Sequence, residues 1–119
     1  FQRGRTMGFP TANLNLSEPY LLPRQGVYVV RGSGEALARP YTGVMNVGYN
    51  PTFEAEKVSP KLEAHLFDFS GDLYGRELTV EFLHYLREEV KFAHIDDLVR
   101  QIRQDAEQAR LWLKEKGLA

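Results

Sequence analysis

The sequence predicts a mostly β domain, an antiparallel barrel or sheet with one C-terminal α-helix packed on it. Three observations carry this. Short β-branched and aromatic runs recur between turn signals, at 26–31, 41–47, 62–69 and 78–86. The last segment changes from a period of two to steps of three and four. Strands and helices do not alternate, which argues against a parallel doubly wound sheet.

The elements follow in order. The first twenty-five residues are loop-like, punctuated by Gly4, Gly8, Pro10, Pro19 and Pro23. Gly26 to Arg31 reads as a strand that runs into the turn Gly32-Ser33-Gly34. Tyr41 to Val47 is a second strand, and Gly48-Tyr49-Asn50-Pro51-Thr52 is expected to break it. Leu62 to Phe69 alternates, with Leu62, Ala64 and Leu66 opposite Glu63, His65, Phe67 and Phe69. After Ser70-Gly71-Asp72, the run Leu78 to Leu86 places Val80, Phe82, His84 and Leu86 opposite Thr79, Glu81, Leu83 and Tyr85. These two runs read as a hairpin with a long connection. Leu98, Ile102, Ala106, Ala109 and Leu113, joined by Ile95, Val99 and Trp112, make the stripe of an amphipathic helix. Asp96 and Asp97 open it, Lys114 and Lys116 close it, and Gly117 follows.

Bulk properties exclude several classes. A chain of 119 residues fits one domain, here 1–119, with 43% hydrophobic and 26% charged residues. The net charge of −1 makes no electrostatic case for nucleic acid or an anionic membrane. The absence of cysteine excludes disulfides and thiolate metal sites and fits a reducing, cytoplasmic compartment. No apolar run approaches the roughly 18 residues of a membrane span, so a soluble domain is expected. The chain starts at Phe1 rather than Met, which reads as a C-terminal fragment of a larger protein.

Chemistry concentrates in three places. No G-x-x-x-x-G-K-[ST] or G-x-G-x-x-G occurs, so a nucleotide would be held by other means. Residues 4–13 (GRTMGFPTAN) have the ingredients of an anion site. Gly4 and Gly8 let backbone N–H groups approach a phosphate, Arg3 and Arg5 add charge, and Pro10 stiffens the chain before Thr11. Thr11 and Asn13 offer neutral oxygens two residues apart, a set that suits Mg²⁺ once phosphate oxygens complete it. The same segment reads equally as a Gly/Pro loop leading to an edge strand, with local turn bonds. Glu63 interrupts an apolar strand, either as a solvated outer-face residue or as a proton acceptor for an attacking hydroxyl. Residues 87–92 (REEVKF) are either a solvated charge run or a clasp of cation, apolar residue and ring for a flat heteroaromatic ligand. His65, His84 and His94 lack metal spacing and read as structural or surface residues.

Taken together these pieces resemble the riboflavin kinases, including the kinase module of bacterial bifunctional FAD synthetases. The resemblance rests on residues 4–14 (GRTMGFPTANL), 26–28 (GVY), 43–48 (GVMNVG), 50–52 (NPT), 62–69 (LEAHLFDF), 72–75 (DLYG), 86–92 (LREEVKF) and 101–105 (QIRQD). It implies a six-stranded antiparallel Greek-key barrel with a C-terminal helix, and the reaction riboflavin + ATP → FMN + ADP. By the same resemblance Thr11 and Asn13 serve Mg²⁺ and the phosphates, and Glu63 is the base for the ribityl hydroxyl. Arg5, Gly8, Pro10, Thr11, Leu66, Asp68 and Tyr74 fall on positions that meet ATP. Arg87, Val90 and Phe92 fall on positions that meet the flavin. The family's strand and glycine turn ahead of Arg3-Gly4-Arg5 have no counterpart here, so the first strand is missing from the sequence. Bacterial relatives carry an adenylyltransferase domain upstream, which implies fusion to one. The competing expectations are a flavin- or nucleotide-binding barrel without turnover, and a barrel for single-stranded nucleic acid that would need a positive groove.

Overall fold

The computed structural model describes residues 12–14, 23–51, 58–73 and 75–118, with backbone alone at 12–14, 50–51 and 58–60. Five strands are seen, β1 (Ala12–Leu14), β2 (Gly26–Ser33), β3 (Tyr41–Pro51), β4 (Val58–Leu66) and β5 (Thr79–Arg87), followed by α1 (Ile95–Glu115). They form one sheet in the order β1-β4-β3-β2-β5, with every neighbouring pair antiparallel. β2, β3 and β4 meander, and β5 returns to lie beside β2, which is Greek-key connectivity. The domain is thus mostly β with a C-terminal helix. The described residues form an open sheet of five strands, and a sixth strand and barrel closure are not seen among them. No helix among the described residues is long and apolar enough to cross a membrane.

Three sequence expectations need correction. The runs at 62–69 and 78–86 do not pair with each other, because β4 lies between β1 and β3 while β5 pairs with β2. Residues 48–51 do not break β3. Its pairing with β4 continues through Gly48↔Lys61 to Pro51↔Val58. The simple alternation of β5 also fails. Register shifts between Val27 and Tyr28 and between Val29 and Val30 show that β5 carries two bulges against β2. Each presents two consecutive side chains to α1. Leu83 and Leu86 pack on the core beneath the helix, His84 stacks on Trp112 with ring centres 4.7 Å apart, and Arg87 reaches Asp105.

The sheet has apolar residues on both faces. On one side Val30, Met45, Val47, Leu62 and Ala64 pack with Tyr28, Tyr49 and Val80. On the other, Val27, Val29 and Val44 meet Ala109 and Leu113 of α1, with Trp112 and Phe67 alongside. Leu37, Leu66 and Leu73 form a third cluster with Tyr41, Phe69 and Leu78. Two tyrosines fix the start of β2, since the Tyr28 hydroxyl donates to the Arg24 carbonyl and the Tyr49 hydroxyl to that of Pro23. Burial raises both phenol pKa values above the ordinary value, with Tyr85 and Tyr49 adding to the rise at Tyr28.

The stripe read from sequence faces the sheet, with Ala109 and Leu113 buried and Leu98, Val99, Ile102, Ala106 and Trp112 half-buried, but Ile95 is 53% exposed and Asp105, one turn before Ala109, is buried with them. A carboxylate therefore occupies a place that hydrophobic periodicity reserves for an apolar side chain.

Candidate active site

Backbone register assembles the site. Asn13 of β1 stands opposite Glu63 of β4, Glu63 opposite Asn46 of β3, Asn46 opposite Val27 of β2, and Val27 opposite Arg87 of β5. Directly opposed residues share a face, so Glu63, Asn46 and Arg87 lie on the α1 side. Three inter-strand spacings, on the order of 14 Å, separate the strands of Glu63 and Arg87.

Glu63 has a side chain 31% exposed, with Lys61 Nζ 3.9 Å from its Oε1. It is thus half-sheltered but open to an incoming group. Beside it Asn46 donates from Nδ2 to Glu89 Oε2 at 3.2 Å, while its Oδ1 is buried with no hydrogen-bond partner among the described residues. Gln25 Nε2 donates to Glu89 Oε1 at 2.6 Å. The loop after β5 is therefore tied through one carboxylate to both β3 and the start of β2. Gly48 makes room for this tie, because a Cβ there would lie 2.9 Å from Glu89 Oε2.

At the other margin, Arg87 donates from Nε and Nη2 to the two oxygens of Asp105, each at 2.7 Å, and from Nη1 to the Glu88 carbonyl at 2.9 Å. Val90 is 53% exposed on the same loop. Phe92 lines an open cavity of about 400 Å³ with Lys91, Asp97, Arg100, Gln101 and Gln104.

The remaining candidates lie elsewhere. The Leu66 side chain is 4% exposed and belongs to the cluster with Leu37 and Leu73. Asp68, at φ 59°, lies in the turn that follows β4, two residues beyond its end at Leu66. Its carboxylate faces Arg110 of α1 at 3.4 Å, and Arg110 also covers the Phe67 ring at 4.3 Å. Both partners are more than half exposed, so the pair stabilises little. Arg5, Gly8, Pro10, Thr11 and Tyr74 lie outside the described residues, and only the backbone of Asn13 falls within them.

The riboflavin kinase family model (Flavokinase) matches residues 1–113. The chain belongs to the riboflavin kinase family. A bifunctional riboflavin kinase/FMN adenylyltransferase of Bacillus subtilis is 43% identical over 109 residues, covering 91% of this chain and 34% of the relative. One of the same name from Haemophilus influenzae is 46% identical over 110 residues, covering 90% of this chain and 33% of the relative. The chain thus spans about a third of the curated relatives it matches. A crystal structure from Streptococcus pneumoniae, described as a macrolide-efflux protein, superposes with a TM-score of 0.81 at 39% identity, over 91% of this chain and 34% of that one.

Within this riboflavin kinase domain, three residues near the site carried no individual role in the sequence reading. Asn46 stood inside 43–48 as motif, Glu89 inside a charge run, and Asp105 at the end of 101–105. Only Asp105 left a usable signal. It falls four residues before Ala109 and eight before Leu113, on the buried stripe.

Proposed function

We propose that the chain transfers the γ-phosphate of ATP to the 5′-hydroxyl of riboflavin, giving FMN and ADP. The observation that carries this reading is the register row, in which Asn13 adjoins Glu63 on one side of the sheet and Arg87 ends the row on the other. The hydroxyl oxygen attacks the γ-phosphorus, the bond to the ADP oxygen breaks, and Glu63 takes the hydroxyl proton. The ribityl chain then runs from Glu63 toward the loop after β5, and the flavin ring lies against that loop at Arg87, Val90 and Phe92. ATP occupies the β1 side, with Arg5, Gly8, Pro10 and Thr11 near its phosphates and Leu66, Asp68 and Tyr74 further along. Any contact from Leu66 is through its backbone, since its side chain is buried.

The described residues contain no group of three or more His, Cys, Asp or Glu that could hold a metal by itself. A hard cation held by the neutral oxygens of Thr11 and Asn13 and by phosphate oxygens fits that donor set. When bound, Mg²⁺ offsets the charge of the phosphates. The reading includes closure of the sheet into the six-stranded barrel of the family, fusion to an FMN adenylyltransferase domain like that named in the curated relatives, and a cytoplasmic location.

Incubation with riboflavin, ATP and Mg²⁺ is expected to yield FMN and ADP in equal amounts, as read by chromatography. Chelation with EDTA abolishes the reaction and added Mg²⁺ restores it. Tight flavin binding without FMN formation would replace the kinase by a binding module. The loop has its own test. Glu89→Ala removes two tethers, one exposed and one half-buried, worth roughly 1–2 kcal/mol together, so the KM for riboflavin should rise about five- to thirtyfold with that for ATP unchanged. Equal changes in both would place Glu89 outside the flavin side.

A further inference from the structure

Asp105 is the buried charged residue of the described core, at 4% exposure in the middle of α1. An ionised carboxylate in such a place is costly unless its oxygens are satisfied, and an apolar residue of similar size generally stabilises at least as well. Here three N–H groups converge on it. Arg87 Nε and Nη2 take one oxygen each at 2.7 Å, and Gln101 Nε2 donates to Oδ1 at 3.0 Å. The fork of two parallel bonds fixes the plane of the guanidinium as well as its position. Nη1 is spent on the Glu88 carbonyl, so the ring of contacts runs from helix to loop through one side chain. Arg87 is 23% exposed, which leaves part of it open to a ligand. Gln101 also lines the cavity beside Phe92.

We propose that Asp105 is a positioning residue for the flavin substrate, holding Arg87 in the one orientation that meets the ring, with Gln101 steadying the carboxylate. The inference rests on the assignment of Arg87 to the flavin. Asp105→Asn keeps the shape but replaces one accepting oxygen with a donor that faces the guanidinium N–H groups.

The test is two-substrate kinetics and riboflavin fluorescence titration on the full protein. Asp105→Asn is expected to raise the KM and Kd for riboflavin about tenfold, with the KM for ATP unchanged. In an Arg87→Ala background the same substitution should add less than about twofold, because its target is gone. Multiplicative effects of the two changes, or equal losses for both substrates, would make Asp105 a purely structural residue and overturn the proposal. Should Asp105→Asn fail to fold, Arg87→Lys serves instead. It keeps the charge opposite Asp105 but lacks the fork, so the riboflavin KM should rise about as far, and an unchanged value overturns the proposal. If Arg87→Ala leaves riboflavin binding intact, the flavin assignment of Arg87 itself is wrong and the positioning role ends with it. FMN formation that persists in that case leaves the kinase reading standing.

Discussion

Replacing Glu63 by glutamine is expected to lower the turnover number for FMN formation by roughly 10²–10⁴-fold, with the KM for riboflavin changed by no more than about threefold. The substitution keeps the side chain's shape and removes only its ability to accept a proton. Among the described residues nothing in the sheet depends on the charge. Lys61 Nζ is 3.9 Å away and more than half exposed, so the pair adds little to stability. The backbone pairings of Glu63 with Asn13 and Asn46 are indifferent to the side chain. An unchanged melting temperature with a collapsed turnover number is therefore the expected pattern. Retention of wild-type turnover would remove Glu63 from the chemistry, and a matching loss of stability would recast it as a structural residue.

The second large effect is on folding. At Gly43, an added Cβ would overlap the His65 carbonyl oxygen and lie 2.9 Å from the Leu66 Cα. These are backbone atoms of the paired strand, held in register by Gly43↔Leu66 and Val44↔His65, and no rotamer change relieves the clash. β3 and β4 must part locally, which disturbs the Phe67 N–H bond to the Thr42 carbonyl at 2.8 Å. Overpacking of this kind costs about 3 kcal/mol, or roughly 10–20 °C of melting temperature for a domain of this size. A Gly43→Ala melting curve within about 2 °C of wild type would show that the strands approach less closely than this geometry gives.

The sequence made local features plain and long-range ones opaque. Leu62, Ala64 and Leu66 alternate and are buried, because alternation reports which face of a strand meets apolar surface. It does not report the partner, which is why β5 was expected beside β4 and lies beside β2. The bulges at Leu83 and Leu86 were invisible for the same reason, since a bulge is defined by a second strand. At the candidate site, Glu63 stood out as a carboxylate in an apolar run. Asp105 was legible only through its spacing of four and eight from Ala109 and Leu113, while the stripe drawn through Leu98, Ile102 and Ala106 passed beside it. Only contact with Arg87, eighteen residues earlier, explains a charge on that face.

The two bulges of β5 have a consequence for how copies of this domain behave toward one another. β5 spends nine residues where seven of β2 suffice, and it is an edge of the sheet among the described residues. An edge strand offers unpaired N–H and C=O groups to any extended segment that arrives. Irregular spacing and added twist at two points spoil the straight row that a second molecule would need for in-register docking. Wherever β5 is left unpaired before the sheet closes into the proposed barrel, the irregularity that turns Leu83, His84, Leu86 and Arg87 toward the helix thus also guards it against edge-to-edge aggregation. Phe82, 39% exposed on this strand, makes that protection worth having.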